Sequence, residues 1–184
     1  MTDQTIEVLL KGCKNGDRRS QQVVYEHYYA MVLNVCLRYA SSREEARELS
    51  NESFFKAFTH LERYKPGSNF GGWLYTIARR TALDRYRVAI QQPEKVSESE
   101  LPHWGGAEPE KQILDRLDIE EKLRLVQKLP PAYRAVFNLY VVEEYTHEEI
   151  ASLLEISVGA SKSNLSKART KLRELMEKEL YTGI

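Results

Sequence analysis

The chain of 184 residues is 29% charged, and its 27 Lys and Arg residues are balanced by 27 Asp and Glu residues. This length allows one or two small domains, each able to bury a core. A net charge of zero counts against a DNA-binding domain that acts alone, since such domains are usually basic. The charge is segregated, however, and residues 94–121 carry nine acids against three bases.

The remaining composition indicates a helical protein without metal or disulfide sites. Cys13 and Cys36 have no partner Cys or His at ligand spacing, which favours two reduced thiols, and no cofactor is expected. No apolar run approaches the roughly 18 residues of a membrane helix, and the N-terminus lacks the apolar segment of a signal peptide. These absences favour a cytoplasmic protein. Because strand-type alternation is nearly absent as well, we expect it to be all-α.

The first half of the chain predicts four helices, over residues 4–16, 18–40, 43–61 and 72–88. Apolar residues recur at helical spacing in each of them. A loop rich in turn residues, 62–72, separates the last two helices. The aromatic and Met side chains of the second helix share one face, which favours core packing.

The third helix carries one large apolar residue, Phe55, on an otherwise polar outward face. Single exposed aromatic residues are common on protein surfaces, but an aromatic residue is also typical of the centre of a protein interface. The residue types alone leave both interpretations open. The residues of this candidate interface are Glu48, Asn51, Glu52 and Phe55.

Aromatic and basic residues alternate from the 62–72 loop into the fourth helix. Rings can stack on unpaired bases and arginines can hold phosphates, so the pattern suits single-stranded nucleic acid. A solvated basic face around a small aromatic core explains the pattern equally well. The candidate residues, including the turn residue Asn69, are Tyr64, Asn69, Phe70, Trp73, Thr76, Arg79, Arg80 and Arg87.

An acidic stretch with several prolines at residues 91–110 indicates a flexible linker. It predicts two small helical domains, at residues 1–90 and 111–184. The second domain is predicted to begin with two helices, over residues 110–129 and 132–143.

A helix-turn-helix motif is predicted to follow. Thr146 and Glu149 form a capping-box pair at the start of its first helix. Residues 155–157 break that helix, and Ser157 can cap the next one.

The second helix of this motif is basic on its outward face. Residues 158–173 contain five Lys and Arg and no Asp or Glu, which suits insertion into the DNA major groove. An ordinary helical hairpin with a solvated charged face is the alternative. The polar side chains able to reach DNA are Lys162, Ser163, Asn164, Ser166 and Lys167.

Two segments carry a pattern known from one family. The first contains EARELSNESFFKAF at 45–58, RYKPGSNFGGWLYTIAR at 63–79 and ALDRYR at 82–87, and the second runs from LPPAYRAVF to ARTKLR over residues 129–173. In order and spacing, they resemble regions 2 and 4 of bacterial RNA polymerase sigma factors of the sigma-70 family, extracytoplasmic-function (ECF) group.

The resemblance implies a role for each part of the chain. The first domain would bind the polymerase clamp through the face around Phe55, and the loop and fourth helix would open the −10 promoter element and hold its unpaired bases. The second helix of the motif would read the −35 element, and the linker would lie near the RNA exit path. Core RNA polymerase, promoter DNA and an anti-sigma factor are the implied partners, with no catalysis and no small-molecule substrate.

Several positions depart from the family's pattern. Arg80 stands where Asn is common, Asn164 where Arg is common, and Ser161 where an apolar residue is usual, on the side predicted to be buried. The clamp-binding helix also lacks the usual Asp-rich start. The promoter sequence read by other members therefore does not carry over to this chain.

A dimeric helix-turn-helix regulator of duplex DNA is the alternative class. It leaves the aromatic loop and the basic fourth helix unexplained. An enzyme is disfavoured, because the four histidines show no metal or triad spacing and no Gly-rich phosphate loop follows a strand.

Overall fold

The computed structural model describes residues 3–91 and 119–182. The chain divides into two units, Met1–Asp84 and Arg85–Ile184. All regular structure in the described ranges is helical, as the sequence predicts. Apart from Gln91, the predicted linker lies outside the described residues, as does the start of the helix predicted at residue 110.

The first unit contains α1 (Asp3–Lys14), α2 (Arg18–Tyr39), α3 (Arg43–Thr59), a 3₁₀ turn (Leu61–Arg63) and most of α4 (Phe70–Gln91). All four predicted helices are therefore present. The last begins two residues earlier than predicted, so that the loop before it is shorter.

The starts of α2, α3 and α4 are each stabilised by a side chain that accepts a backbone hydrogen bond. Asp17 accepts from Ser20 N at 3.0 Å, and Ser42 accepts from Glu45 N at 3.1 Å. Asn69 accepts from the N–H of Gly72 at 3.0 Å through Oδ1, which caps α4. These residue types are preferred at helix starts because they satisfy N–H groups that have no partner within the helix.

The core of the first unit lies where α2 packs against α1 and α3. A Cβ atom on Gly12 would lie only 2.3 Å from Ser20 Oγ, so the approach of α1 to α2 requires a residue without a side chain. Among the core residues, Val24, Val32, Leu49 and Leu74 are fully buried.

The second unit contains α5 (Ile119–Gln127), α6 (Pro131–Phe137), a π turn (Asn138–Val142), α7 (His147–Leu154) and α8 (Val158–Thr182). The helix predicted over residues 132–143 is thus α-helical only in its first half. Helices α6 and α7 both pack against α8, and their fully buried side chains include Val136 and Ile150.

The helix-turn-helix motif has the predicted caps. Glu149 N donates to Thr146 Oγ1 at 3.2 Å, and Thr146 N donates to the Glu149 carboxylate at 2.8 Å. Glu155 ends α7 in the left-handed conformation, with φ of 57°. Ser157 then caps α8 by accepting from Ala160 N at 3.0 Å.

Candidate protein and nucleic-acid interfaces

The outward face of α3 presents a large apolar side chain among polar ones. Phe55 is 71% exposed, and Glu48 and Asn51 are exposed on the same side of the helix. Glu52 is partly buried and forms an ion pair with Lys56 at 2.8 Å. The four residues of the candidate protein interface therefore share one surface, with Phe55 as its apolar centre.

Two tyrosines of α2 border this surface, and the sequence analysis did not include them. The Tyr25 hydroxyl donates to Asn51 Oδ1 at 3.1 Å, and its ring lies 5.2 Å from that of Tyr29 and 4.5 Å from that of Phe54. Burial raises the pKa of Tyr25, so its hydroxyl remains a donor at neutral pH. Their i, i+4 spacing beside the buried face of α2 is the sequence feature that could have indicated Tyr25 and Tyr29.

Part of the predicted single-strand site forms a small aromatic core. Tyr64 and Phe70 are each 3% exposed, and their rings meet edge to face at 5.3 Å. The partly buried Trp73 ring lies 5.6 Å from both. The two buried rings hold the loop against the unit, so the surface for direct contact is formed by their neighbours.

The accessible residues of this set border a basic cleft of about 510 Å³ in the first unit. Thr76 and Arg80 are exposed along α4, with Trp73 at one end of the cleft. The cleft lining also includes three basic side chains that spacing along α4 does not predict, because they belong to α3 and the turn after it: Lys56, His60 and Arg63. Asp84 also lines the cleft, so the positive charge is not uniform.

The remaining members of the set lie elsewhere. Asn69 is exposed at the end of the loop, and Arg79 is partly buried on α4. Arg87 belongs to the second unit, where its guanidinium donates to the Leu153 carbonyl and lies 3.5 Å from the Glu155 carboxylate. The structure thus brings Trp73, Thr76 and Arg80 together at the cleft, whereas Arg87 is not among the residues that line it.

Helix α8 has one buried and one accessible face. Leu165, Ala168 and Leu172 are buried. Lys162 and Ser163 are exposed, whereas the other candidate DNA contacts are partly buried along its flanks: Asn164, Ser166 and Lys167.

The unusual Ser161 is fully buried and has a polar partner. Its Oγ lies 2.9 Å from His147 Nδ1 at the start of α7. The His147 ring stacks on Tyr140 with a centroid distance of 4.6 Å. Burial, followed by the nearby charge of Lys162, lowers the pKa of His147 below its ordinary value of 6.5. A serine is tolerated at this apolar position because the imidazole satisfies its hydroxyl.

Within the described residues, no group of three or more His, Cys, Asp and Glu could hold a metal ion. No described helix is long and apolar enough to span a membrane. Cys13 and Cys36 are free thiols, and burial raises their pKa to about 11 and about 12, so both are protonated at neutral pH.

Both units match profiles of one family. Residues 24–89 match the profile described as Sigma-70 region 2, and residues 119–172 match Sigma-70, region 4. These ranges contain the α3 face, the basic cleft and the helix-turn-helix motif.

Relatives agree with this assignment. RNA polymerase sigma factor YlaC of Bacillus subtilis strain 168 is 33% identical over 164 residues, which cover 88% of this chain and 94% of the relative. ECF RNA polymerase sigma factor SigW of the same organism is 26% identical over 183 residues, covering 94% and 97%. ECF RNA polymerase sigma-E factor of Escherichia coli K12 is 28% identical over 179 residues, covering 92% and 93%.

The chain therefore belongs to the sigma-70 family of RNA polymerase sigma factors, within the ECF group. Matches to region 2 and region 4 in one chain favour this class over a dimeric helix-turn-helix regulator. A regulator of that kind would explain the second unit alone.

Proposed function

We propose that this chain directs core RNA polymerase to a subset of promoters, opens their −10 element and reads their −35 element. The observation that carries the proposal is the presence, in one chain, of a basic cleft of about 510 Å³ beside Trp73 and a capped helix-turn-helix motif. The first suits unpaired DNA and the second suits duplex DNA. An initiation factor needs both.

The polymerase contact is assigned to the α3 face of Glu48, Asn51, Glu52 and Phe55. A phenyl ring that is 71% exposed loses contact with water when a partner covers it, and such central aromatic residues dominate interface energies. The partner on this face is the clamp of core polymerase, as the family resemblance implies.

The −10 contact is assigned to the loop before α4 and to the basic cleft. Asn69, Trp73, Thr76 and Arg80 are accessible to the unpaired strand, and we give Lys56, His60 and Arg63 a share in holding its phosphates. Tyr64 and Phe70 support the loop from the core. Arg79 and Arg87 remain assigned to the −10 region as more peripheral members.

The −35 contact is assigned to α8, through Lys162, Ser163, Asn164, Ser166 and Lys167. Lysines act as point charges toward phosphates, whereas an asparagine amide can both donate to and accept from a base edge. The helix is free of acids over its first four turns, which favours its approach to DNA.

Several further properties belong to the same proposal. The functional domains are residues 1–90 and 111–184, with residues 91–110 as linker. The protein acts in the cytoplasm, performs no covalent chemistry, needs no cofactor, and is inhibited by an anti-sigma factor.

Run-off transcription tests the function. Core polymerase, with and without this chain, is supplied with a library of templates that have randomised −35 and −10 elements, and the transcripts are sequenced. We expect transcripts from a subset sharing both elements, only when the chain is present. Transcript sets that are identical with and without the chain would refute the proposal.

A further inference from the structure

The loop before α4, residues 64–69, is held by a residue of α1. Oε1 of Glu7 accepts a hydrogen bond from the Gly67 N–H at 2.8 Å and lies 3.0 Å from the Tyr64 hydroxyl. The two contacts span 57 and 60 positions of sequence. A single carboxylate oxygen therefore links the N-terminal helix to the loop.

The Tyr64 side chain makes this link rigid. Its ring is buried, so the position of its hydroxyl is fixed by the aromatic core. The hydroxyl also lies 2.6 Å from the Ser68 carbonyl oxygen, and with one proton it donates to one acceptor at a time. Burial raises the pKa of Tyr64, so this proton is retained at neutral pH.

Apart from the buried Tyr64 ring and the Asn69 cap of α4, the loop between them has few anchors. Residues 65–69 are exposed, and Gly67 adopts a φ of 78°, which favours glycine. Further hydrogen bonds within the loop are local, from Ser68 N to the Lys65 carbonyl at 3.1 Å and from Ser68 Oγ to the same oxygen at 2.7 Å. Local hydrogen bonds of an exposed loop open readily. The Glu7 carboxylate instead ties Gly67 to a separate helix and to the part-buried Tyr64 hydroxyl, and so has a share in fixing the loop.

We propose that Glu7 is a positioning residue for promoter opening. It fixes the loop so that Asn69, the next residue but one after Gly67, meets the unpaired −10 strand in one geometry. A fixed loop loses less conformational entropy on binding than a mobile one. This inference rests on the proposed function, because it names a residue that prepares the −10 contact.

A carboxylate at this position is not suited to a direct phosphate contact. Two negative groups repel, and proteins neutralise DNA phosphates with Lys and Arg. The acceptor role toward Gly67 and Tyr64 gives Glu7 a function that does not require it to touch DNA. That role needs an oxygen acceptor at the Oε1 position, and it does not need the negative charge.

The first measurement is amide hydrogen exchange of residues 64–69 in the free full-length chain. Glu7→Ala removes the acceptor, whereas Glu7→Gln retains a carbonyl oxygen. Val8→Ala is the control, since Val8 is 69% exposed on the same helix. We expect Glu7→Ala to speed exchange at Gly67 by about fivefold or more, with the other two variants close to the parent.

The second measurement is the affinity of each holoenzyme for a fluorescent single strand. The strand carries the non-template −10 sequence of a promoter selected by run-off transcription. We expect Glu7→Ala to weaken this affinity by about five- to tenfold, corresponding to the loss of a typical hydrogen bond. Glu7→Gln should restore it to within about twofold, and affinity for core polymerase should not change.

Three results would overturn the proposal: parental strand affinity in Glu7→Ala, an equal defect in Glu7→Gln, or an equal loss of core affinity. Parental strand affinity in Glu7→Ala would show that Glu7 has no role in strand binding. An equal defect in Glu7→Gln would show that Glu7 acts through its charge. An equal loss of core affinity would show that the substitution disturbs folding in general. If the parent holoenzyme itself fails to bind the strand, the proposed function fails and the opening role fails with it. In that case, the amide hydrogen exchange rates at Gly67 in the parent and in Glu7→Ala still show whether Glu7 holds the loop.

Discussion

A proposed DNA contact coincides with a helix cap at Asn69 and with a partly buried position at Asn164. Asn69 accepts from Gly72 N at 3.0 Å and so caps α4, and it is also exposed at the end of the loop proposed to meet the −10 strand. Asn164 lies partly buried on the flank of α8. A useful substitution at either position must change one role and preserve the other.

Asn69→Asp keeps the oxygen that caps α4 but removes the amide donor and adds a negative charge, whereas Asn69→Ala removes the cap as well. If Asn69 meets the unpaired strand, both variants should open promoters less well, as measured by permanganate reactivity of −10 thymines. Only Asn69→Ala should also lower stability, by about 1 kcal/mol, in thermal denaturation. Parental opening by Asn69→Asp would show that Asn69 is a helix cap only.

Asn164→Arg should change the preference of the holoenzyme at one −35 base pair. An asparagine amide matches the edge of adenine, and arginine matches guanine, so a bidentate contact would shift preference by about 1–3 kcal/mol. Transcription of a randomised −35 library by parent and variant holoenzymes measures this shift. An equal change for every −35 sequence would mean that Asn164 contacts only the sugar-phosphate backbone.

Among the helices, α3 and α8 each have one buried face and one exposed face that a partner can bind. Buried Leu49 and Phe54 hold α3 to the unit while Phe55 points away. In α8, Leu165 and Ala168 face inward and Lys162 outward. Substitutions on the outward faces should therefore affect binding more than folding.

Phe55→Ala should weaken binding to core polymerase by more than about tenfold, since loss of a central aromatic contact costs about 2 kcal/mol or more. Thermal stability should change little, because the ring is exposed. Val8→Ala is the control for losing an exposed apolar side chain. Glu52 is left unchanged because its ion pair with Lys56 connects it to the basic cleft. Parental affinity of Phe55→Ala for core would exclude this face.

The contact between α7 and α8 should make the second unit sensitive to acid. Burial, Lys162 and Arg169 lower the pKa of His147 in the folded state, opposed by Glu148. The unfolded chain then binds a proton more readily, so the stabilisation present above pH 6.5 is lost as pH falls toward the lower folded pKa. Melting temperatures at pH 7 and pH 5 should differ less in His147→Gln than in the parent. An equal difference in both proteins would contradict this explanation.

At the scale of the whole molecule, local sequence signals predicted the elements, but contacts distant in sequence determined the sites. The capping box of Thr146 and Glu149 and the outward position of Phe55 follow from helical spacing, and both are present. Burial of Tyr64 could not be read from its loop, because it depends on how the chain turns to bring Phe70 and Trp73 against its ring. The Glu7 contact joins residues 60 positions apart, beyond the reach of any periodicity.

Two further features of the sites depend on contacts between different helices and could not be predicted from the spacing within one helix. The sequence placed Ser161 on the buried side of α8, but its pairing with His147 at 2.9 Å depends on the angle between two helices. The bases that Lys56 and Arg63 add to the cleft come from α3 and the turn after it. Spacing along α4 alone could not reveal them.

We expect this chain and core polymerase to open a promoter only together. Permanganate reactivity of −10 thymines, on a duplex promoter selected by run-off transcription, measures this opening. The thymines should react only when core polymerase and the chain are both present, and with neither alone. Protection of the −35 duplex by the chain without polymerase, and no reactive thymines after polymerase is added, would contradict it and favour a duplex-binding regulator.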